Sequence, residues 1–200
     1  MDTTIGAVYA VCDDMLNGLQ HRNDPQCHLT DAEVMTITIT AACFFGGNGA
    51  LTWCFMAEHG SMRRVLGPSR FIRRLHRIKD LFLTLFHILG AYWNDLNSDS
   101  VYSIDSFPVA RCDNIRIRRS RRYRGEEYRG YIPSKRRCFY GIRIHLMVTA
   151  HGEPVEFFLT PGEDGDTGRM PWYQFDVPAG STIIEDKGFN NYKLEDEFSE

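Results

Sequence analysis

The sequence predicts an α/β fold in which a helical first half precedes a mixed β-sheet. Over the first hundred residues, apolar side chains recur at helical spacing between cap and loop signals. From Ser100 onward, short β-branched or aromatic runs alternate with turn signals, which is the pattern of strands. The chain has 200 residues, 43% of them hydrophobic, which is enough for one medium domain or two small ones with a real core.

A capping box predicts the start of one helix in the first half. The Thr30 hydroxyl and the Glu33 carboxylate can each satisfy a backbone amide that would otherwise lack a partner. We expect a helix over residues 30–45, ended by the glycines of residues 46–49. The alternation of threonine and isoleucine in residues 36–40 would suit a strand equally well, so the local pattern leaves both open.

A short helix over residues 51–58 comes next, and a longer amphipathic helix follows it, with Ser69 as the predicted N-cap. Its apolar stripe comprises Phe71, Leu75, Ile78, Phe82, Leu85 and Leu89. Its opposite face carries Arg70, Arg73, Arg74, Arg77 and Lys79. A charged face of this kind can be an ordinary solvated surface, or it can contact DNA as part of a helix-turn-helix, and the sequence leaves both possibilities open.

Four strands are predicted in the second half, over residues 101–109, 138–150, 155–160 and 181–185. The second and third are expected to form a hairpin. The fourth can then lie parallel to the first, on the side that the hairpin does not occupy. The polar cluster at residues 97–100 marks the predicted boundary between a helical N-terminal region, residues 1–98, possibly DNA-binding, and a sheet-containing region, residues 99–200.

Composition limits the classes of function. No apolar run approaches the roughly 18 residues needed to cross a bilayer, and the first residues lack the basic start of a secretion signal, so we expect a cytoplasmic protein without a membrane partner. The six cysteines are scattered, with no Cys-x-x-Cys pair and no Cys/His cluster at zinc spacing.

Two aspartates stand on or just beyond predicted strands. Asp105 lies inside the first strand and Asp186 directly follows the fourth. If these strands are parallel neighbours, the two carboxylates meet and repel each other unless a cation lies between them, and oxygen ligands of this kind suit Mg²⁺ or Mn²⁺. A pair of such ions about 4 Å apart supports in-line phosphoryl displacement. The pattern alone also allows a turn role for Asp105 and a helix-capping role for Asp186.

The segment between the aspartates is strongly basic. Residues 111–143 hold eleven arginines and one lysine against three acids. Guanidinium groups pair with phosphates and tyrosines stack on exposed bases, so the segment predicts a nucleic-acid surface, whereas the alternative is a solvated loop whose charge only aids solubility. The residues assigned to DNA binding are Arg116, Arg118, Arg119, Arg121, Arg122, Arg124, Lys135, Arg136 and Arg137.

Several strings, taken in order, resemble a known family. They are Leu29 to Glu33, Phe71 to Arg77, Ile104 to Val109, Gly130-Tyr131, Phe139 to His145, Gly152 to Val155, Leu159 to Gly162 and Asp186 to Phe189. Together they resemble the DDE transposases of bacterial insertion sequences, and most closely family 982 of those elements. Phe189 stands where that family usually has tyrosine.

The resemblance implies an RNase H-like fold in which Asp105 and Asp186 match the first two acids of the catalytic triad. These acids would bind Mg²⁺, or Mn²⁺, for cleavage of DNA at the ends of the element and strand transfer into a target, carried out by a homo-oligomer on DNA. The third acid of the family is a glutamate well beyond the second aspartate. Glu195, Glu197 and Glu200 lie too close behind Asp186 to match it.

We therefore expect a C-terminally truncated transposase whose DNA cleavage is absent or slow. The alternative function is a non-catalytic DNA-binding fragment that represses an intact transposase. A third reading is a nuclease of the same fold that does not transpose.

Overall fold

The computed structural model describes residues 2–58, 66–113, 117, 122–123, 125–132, 135–164 and 175–185. The chain divides into two compact units, Met1–Phe86 and His87–Glu200. The first unit is helical and the second holds the sheet, so the α/β fold class with a mixed sheet is confirmed. The last helix of the described residues ends at Leu96 and the first strand begins at Val101.

Five helices are formed by the described residues: α1 (Asp2–Gly18), α2 (Asp31–Phe44), α3 (Gly49–Glu58), α4 (Pro68–Arg77) and α5 (Lys79–Leu96), the last of which continues into the second unit. The middle of the first unit is α2, because Val34, Met35 and Ile37 are almost wholly buried. The aromatic rings of Trp53 in α3 and Phe71 in α4 pack with their centroids 5.6 Å apart.

The capping box that begins α2 is present. Glu33 N donates to Thr30 Oγ1 at 3.2 Å, and Thr30 N donates to the Glu33 carboxylate at 2.7 Å. The ambiguous threonines take the helical conformation, and Thr36 Oγ1 and Thr38 Oγ1 donate to the carbonyl oxygens four residues earlier, both at 2.8 Å. The hydroxyls of Thr36 and Thr38 are thus satisfied inside the helix. The whole alternating stretch lies within α2, so the strand alternative is wrong.

The amphipathic helix predicted from Ser69 differs from the observed structure in two ways. Its N-cap is Gly67, because Pro68 occupies the first helical position, where its fixed φ and missing N–H suit the backbone. It is also two helices, since the chain leaves the α-helical conformation at the buried Ile78. Neither Gly nor Pro stands near Ile78, so the local sequence carries no signal for this break.

No single helix within the described residues has the length and apolar character to span a membrane. Only the pair α2 and α3, which are bent by 110° at their junction, reaches that length and apolarity when the two helices are counted together.

The sheet of the second unit has five strands: β1 (Val101–Asp113), β2 (Arg129–Ile132), β3 (Arg137–Thr149), β4 (Pro154–Pro161) and β5 (Thr182–Glu185). Its order is β2-β3-β1-β5, and β4 pairs with β3. The predicted β3–β4 hairpin is confirmed, and β5 lies parallel to β1 on the side away from that hairpin, also as predicted. The short strand β2 was not predicted from the sequence.

One face of this sheet carries the core of the second unit. Tyr102, Ile104 and Met147 are fully or almost fully buried and pack with partly buried side chains of β4, β5 and residues 175–177. The Tyr102 hydroxyl donates to Asn94 of α5. At Gly90 of α5 a Cβ atom would come within 2.2 Å of the carbonyl oxygen of Val155, so the helix backbone lies directly against the sheet.

Candidate functional site

Asp105 is held on β1 with its side chain exposed. Its neighbour Ile104 is buried in the core, and because side chains alternate along a strand, Asp105 projects from the opposite face of the sheet. Asp105 Oδ1 accepts a hydrogen bond from Ser106 N at 2.7 Å. β1 is also paired along almost its whole length with β3, so the carboxylate stands on a rigid strand.

The parallel pairing of β1 and β5 runs toward this aspartate. Its register is Val101↔Thr182, Tyr102↔Ile183, Ser103↔Ile184 and Ile104↔Glu185. Paired residues of adjacent strands share a face of the sheet, so Glu185 belongs to the Ile104 face, opposite to that of Asp105. Asp186, the second predicted site residue, is next in sequence after Glu185 and lies outside the described residues.

A second hydrogen bond lies close to Asp105 in sequence but on the opposite face of β1. The Arg143 guanidinium of β3 donates to Ser106 Oγ at 3.0 Å. The same serine donates its backbone N–H to Asp105, so Arg143, Ser106 and Asp105 form a connected series. Sequence reasoning missed Ser106 and Arg143. The only sequence signal for these two residues is that both lie on predicted strands. Their contact depends on the register between β1 and β3, which the sequence of either strand alone does not determine.

The Asp105 carboxylate has the chemistry of a ligand for Mg²⁺ or Mn²⁺. It is a hard oxygen donor, it is exposed, and within the described part of the chain only Ser106 N hydrogen-bonds to it. Residues 2–58, 66–113 and the other described segments contain no group of three or more His, Cys, Asp or Glu side chains placed to hold a metal ion. Both predicted metal ligands, Asp105 and Asp186, therefore stay predictions.

The basic segment is partly described. Arg122, Lys135, Arg136 and Arg137 are exposed. The remaining residues assigned to DNA binding, which lie outside the described residues, are Arg116, Arg118, Arg119, Arg121 and Arg124.

The end of this segment is attached to the sheet by a polar cluster. The Tyr140 hydroxyl donates to Glu126 Oε1 at 3.0 Å, and the Arg129 guanidinium lies 3.5 Å from Glu126 Oε2. Burial of Tyr140, together with the hydrogen bond and the charge of Glu126, raises the pKa of its phenol. The phenol therefore stays a hydrogen-bond donor at neutral pH, and it joins β3 to the short helix Glu126–Tyr128 that precedes β2.

One correction concerns the basic face of the amphipathic helix. Arg74 was grouped with the exposed arginines, but it is only 7% exposed and donates to the buried Asp31 carboxylate at 2.8 Å. Asp31 Oδ2 also lies 2.7 Å from His21 Nε2. Arg74 is therefore a structural residue of the first unit.

Comparison with protein families identifies the second half of the chain. Residues 96–200 match the model of a family described as transposase DDE domain. No curated protein and no solved structure matches the chain. Because the matched segment covers just over half of the 200 residues and includes the whole sheet, the protein belongs to the transposase DDE domain family.

Proposed function

We propose that this protein is the transposase of an insertion sequence, and that it cleaves DNA and transfers strands with Asp105 and Asp186 as catalytic, metal-binding residues. Membership of the family supports a transposase role, DNA as the substrate and the use of divalent ions. The finer assignments are part of this proposal. They are family 982, an RNase H-like fold, a helical region at residues 1–98 with the catalytic domain at 99–200, and a homo-oligomer on DNA.

The observation that carries the proposal is the register of β1 and β5. The last described pair, Ile104↔Glu185, stands one residue before an aspartate on each strand. If the pairing continues by one residue, Asp105 and Asp186 become lateral neighbours about 4.8 Å apart at Cα and share a face of the sheet. Glu185 does not compete for the role, because its position in the register assigns it to the other face.

The two carboxylates are suited to hold Mg²⁺ or Mn²⁺ between them, since like charges this close repel each other without a cation. When bound, such ions stabilise charge on the attacking and leaving oxygens of a phosphoryl transfer. The protein's own residues position this chemistry. β1 and β3 hold Asp105, the Ser106 N–H orients one of its oxygens, and Arg143 fixes Ser106 from beneath.

The basic residues between the two aspartates are proposed to hold the backbone of the DNA that reaches the acids. Exposed Arg137 is the first residue of β3, and exposed Lys135 and Arg136 directly precede it. In the β1–β3 register, Asp105 pairs with Leu146, so these cations lie toward the end of the sheet away from Asp105. Contacts of this type fix the register of the duplex without reading its sequence. If about six phosphates are neutralised, the log-log slope of affinity against salt is on the order of −5.

The experiment uses a supercoiled plasmid that carries the ends of the element, Mn²⁺ and the 200-residue polypeptide. The third acid that the resemblance implies is not matched within residues 1–200. We therefore expect this polypeptide alone to nick DNA slowly or not at all. Robust nicking that Asp105→Ala abolishes would establish catalysis by Asp105 and refute the expected impairment.

Measurements of DNA affinity and Mn²⁺ binding on the same proteins distinguish the transposase from the alternative, a non-catalytic DNA-binding repressor. Both functions predict that DNA affinity survives Asp105→Ala and falls when Lys135, Arg136 and Arg137 become glutamine. Only the transposase predicts that Mn²⁺ binding depends on Asp105. A polypeptide that binds DNA but shows no Asp105-dependent Mn²⁺ binding is the repressor.

A further inference from the structure

Helix α4 carries a second concentration of positive charge, in the first unit. Four of its ten residues are arginine and none is acidic. The acid-free run extends beyond the helix, since residues 59–79 contain six arginines and one lysine but no Asp or Glu. This charge lies apart in sequence from the basic segment between the two aspartates, and the proposed function does not use it.

The structure separates the four arginines of α4 into two kinds. Arg74 is buried, where its guanidinium donates to Asp31 Oδ1 at 2.8 Å and to the Leu29 carbonyl at 3.5 Å. Arg70, Arg73 and Arg77 are exposed. Because successive residues of an α-helix are about 100° apart around its axis, these three arginines lie within about 60° of one another. We call them the arginine stripe of α4.

The stripe is electrostatically unfavourable to the isolated helix. Arg70 and Arg73 are three residues apart and Arg73 and Arg77 four, so each pair places like charges side by side at a cost of about 0.2–0.5 kcal/mol. Arg70 is also in the first turn, where the helix dipole disfavours a cation and where no acidic residue compensates it.

Nearby carboxylates offset little of this charge. In the described part of the chain, the ion pair of the stripe is Arg77 with Asp24, at 3.6 Å between two exposed side chains. A pair of this kind contributes little, because solvent screens it. Arg70 and Arg73 have no carboxylate of a described residue within ion-pair distance. A polyanion on the stripe would relieve the repulsion that the fold leaves uncompensated.

We infer that the arginine stripe of α4 binds the phosphate backbone of DNA, as a contact separate from that of residues 116–137. The uncompensated charge of the helix favours a polyanion as the ligand, and the choice of DNA rests on the proposed function. From Arg70 to Arg77 there are seven helical steps, or about 10 Å of helix axis. Duplex DNA presents roughly six phosphates over that length, enough for one to face each arginine.

The test compares two double variants that remove the same charge. Arg70→Gln with Arg73→Gln alters the stripe, and Arg77 is kept because its loss would also break the pair with Asp24. The matched control is Arg22→Gln with Lys79→Gln, two exposed cations of the same unit that are not on the stripe. Affinity for a duplex oligonucleotide is measured by fluorescence anisotropy between 50 and 200 mM salt, in EDTA.

Loss of two phosphate contacts should reduce the log-log salt slope by about 1.8. The ratio of wild-type affinity to the affinity of the stripe variant should therefore be about tenfold larger at 50 mM salt than at 200 mM salt. The log-log salt slope of the control variant should fall by less than half of this amount. Replacing Arg70 and Arg73 by lysine should restore the slope, because a lysine still neutralises a phosphate. Circular dichroism must show the same helix content in all variants.

Equal losses in the stripe and control variants would overturn the inference, because they would indicate a diffuse effect of net charge. An unchanged slope in the stripe variant, or binding of an RNA duplex in preference to DNA, would overturn it as well. Since the assay contains no divalent ion, failure of the metal site leaves its result unaffected. If DNA binding is detected but is the same in the stripe variant as in the wild type, the proposed function stands and the inference fails.

Discussion

Single residues of the same type have opposite roles in this protein, and burial decides between them. Arg73 and Arg74 are adjacent in sequence, yet Arg73 is exposed and Arg74 is buried against Asp31. Burial acts to lower the pKa of the Arg74 guanidinium, but the hydrogen bond and charge of Asp31 raise it above its ordinary value. Asp31 and Arg74 are 43 residues apart in sequence, so composition and periodicity could not predict this pair.

Asp31→Ala should strongly destabilise the first unit. It removes the partner of a buried guanidinium and leaves that charge uncompensated, for which a loss of about 3–5 kcal/mol is expected. Asp14→Ala, at an exposed position of α1, is the control and should change the free energy of unfolding by no more than about 0.5 kcal/mol. Urea denaturation measures both. Similar small losses in the two variants would show that the buried pair does not stabilise the fold.

Individual elements are also shaped by local hydrogen bonds. The β3–β4 turn is an example. The Thr149 hydroxyl donates to the Glu153 carboxylate and accepts from the backbone N–H groups of His151 and Glu153. The hydrogen bond from Thr149 lowers the pKa of the Glu153 carboxyl, although burial acts in the opposite direction.

This lowered pKa predicts a pH dependence of the hairpin. Because the folded pKa of Glu153 lies below its unfolded value, its stabilising effect is complete above the unfolded pKa and disappears as the pH falls through the folded pKa. Removing the hydroxyl with Thr149→Val should raise the Glu153 pKa toward its ordinary value. NMR titration of the Glu153 carboxyl checks this. The same midpoint in both proteins would contradict the assigned cause.

The contact of α5 with the sheet predicts a second effect at the scale of elements. Gly90→Ala places a Cβ atom 2.2 Å from the Val155 carbonyl oxygen, so the helix must move away from the sheet. A loss of about 1–3 kcal/mol is expected. Gly6→Ala in α1 is the matched control, because no atom lies within 4 Å of the added Cβ and helix propensity favours alanine. If thermal denaturation shows that both substitutions stabilise the protein, this close contact is not present.

For the whole molecule, the sequence predicted the α/β class, the β3–β4 hairpin and the parallel placement of β5 beside β1. Strand runs, turn signals and general rules of connection suffice for these. The sequence did not predict β2, which has four residues, or the break at Ile78, which has no local signal. The candidate site was predictable in part. Asp105 follows from the strand pattern, whereas the link to Ser106 and Arg143 depends on the register between β1 and β3.

The whole account depends on Asp105 and Asp186 acting on one metal ion. Two ligands of the same ion should not behave additively, because loss of either one already removes the site. Asp105→Asn and Asp186→Asn should therefore each weaken Mn²⁺ binding by about tenfold or more, which corresponds to at least about 1.4 kcal/mol. Asp99→Asn, at an exposed position just before β1, is the matched control and should leave Mn²⁺ affinity unchanged.

The most direct measurement is titration of Mn²⁺ by electron paramagnetic resonance against the wild type, the two single variants and the double variant. The account predicts that the double variant binds Mn²⁺ no more weakly than either single variant. Losses that add, or Mn²⁺ affinity that either single variant leaves intact, would show that the two aspartates do not share a metal ion.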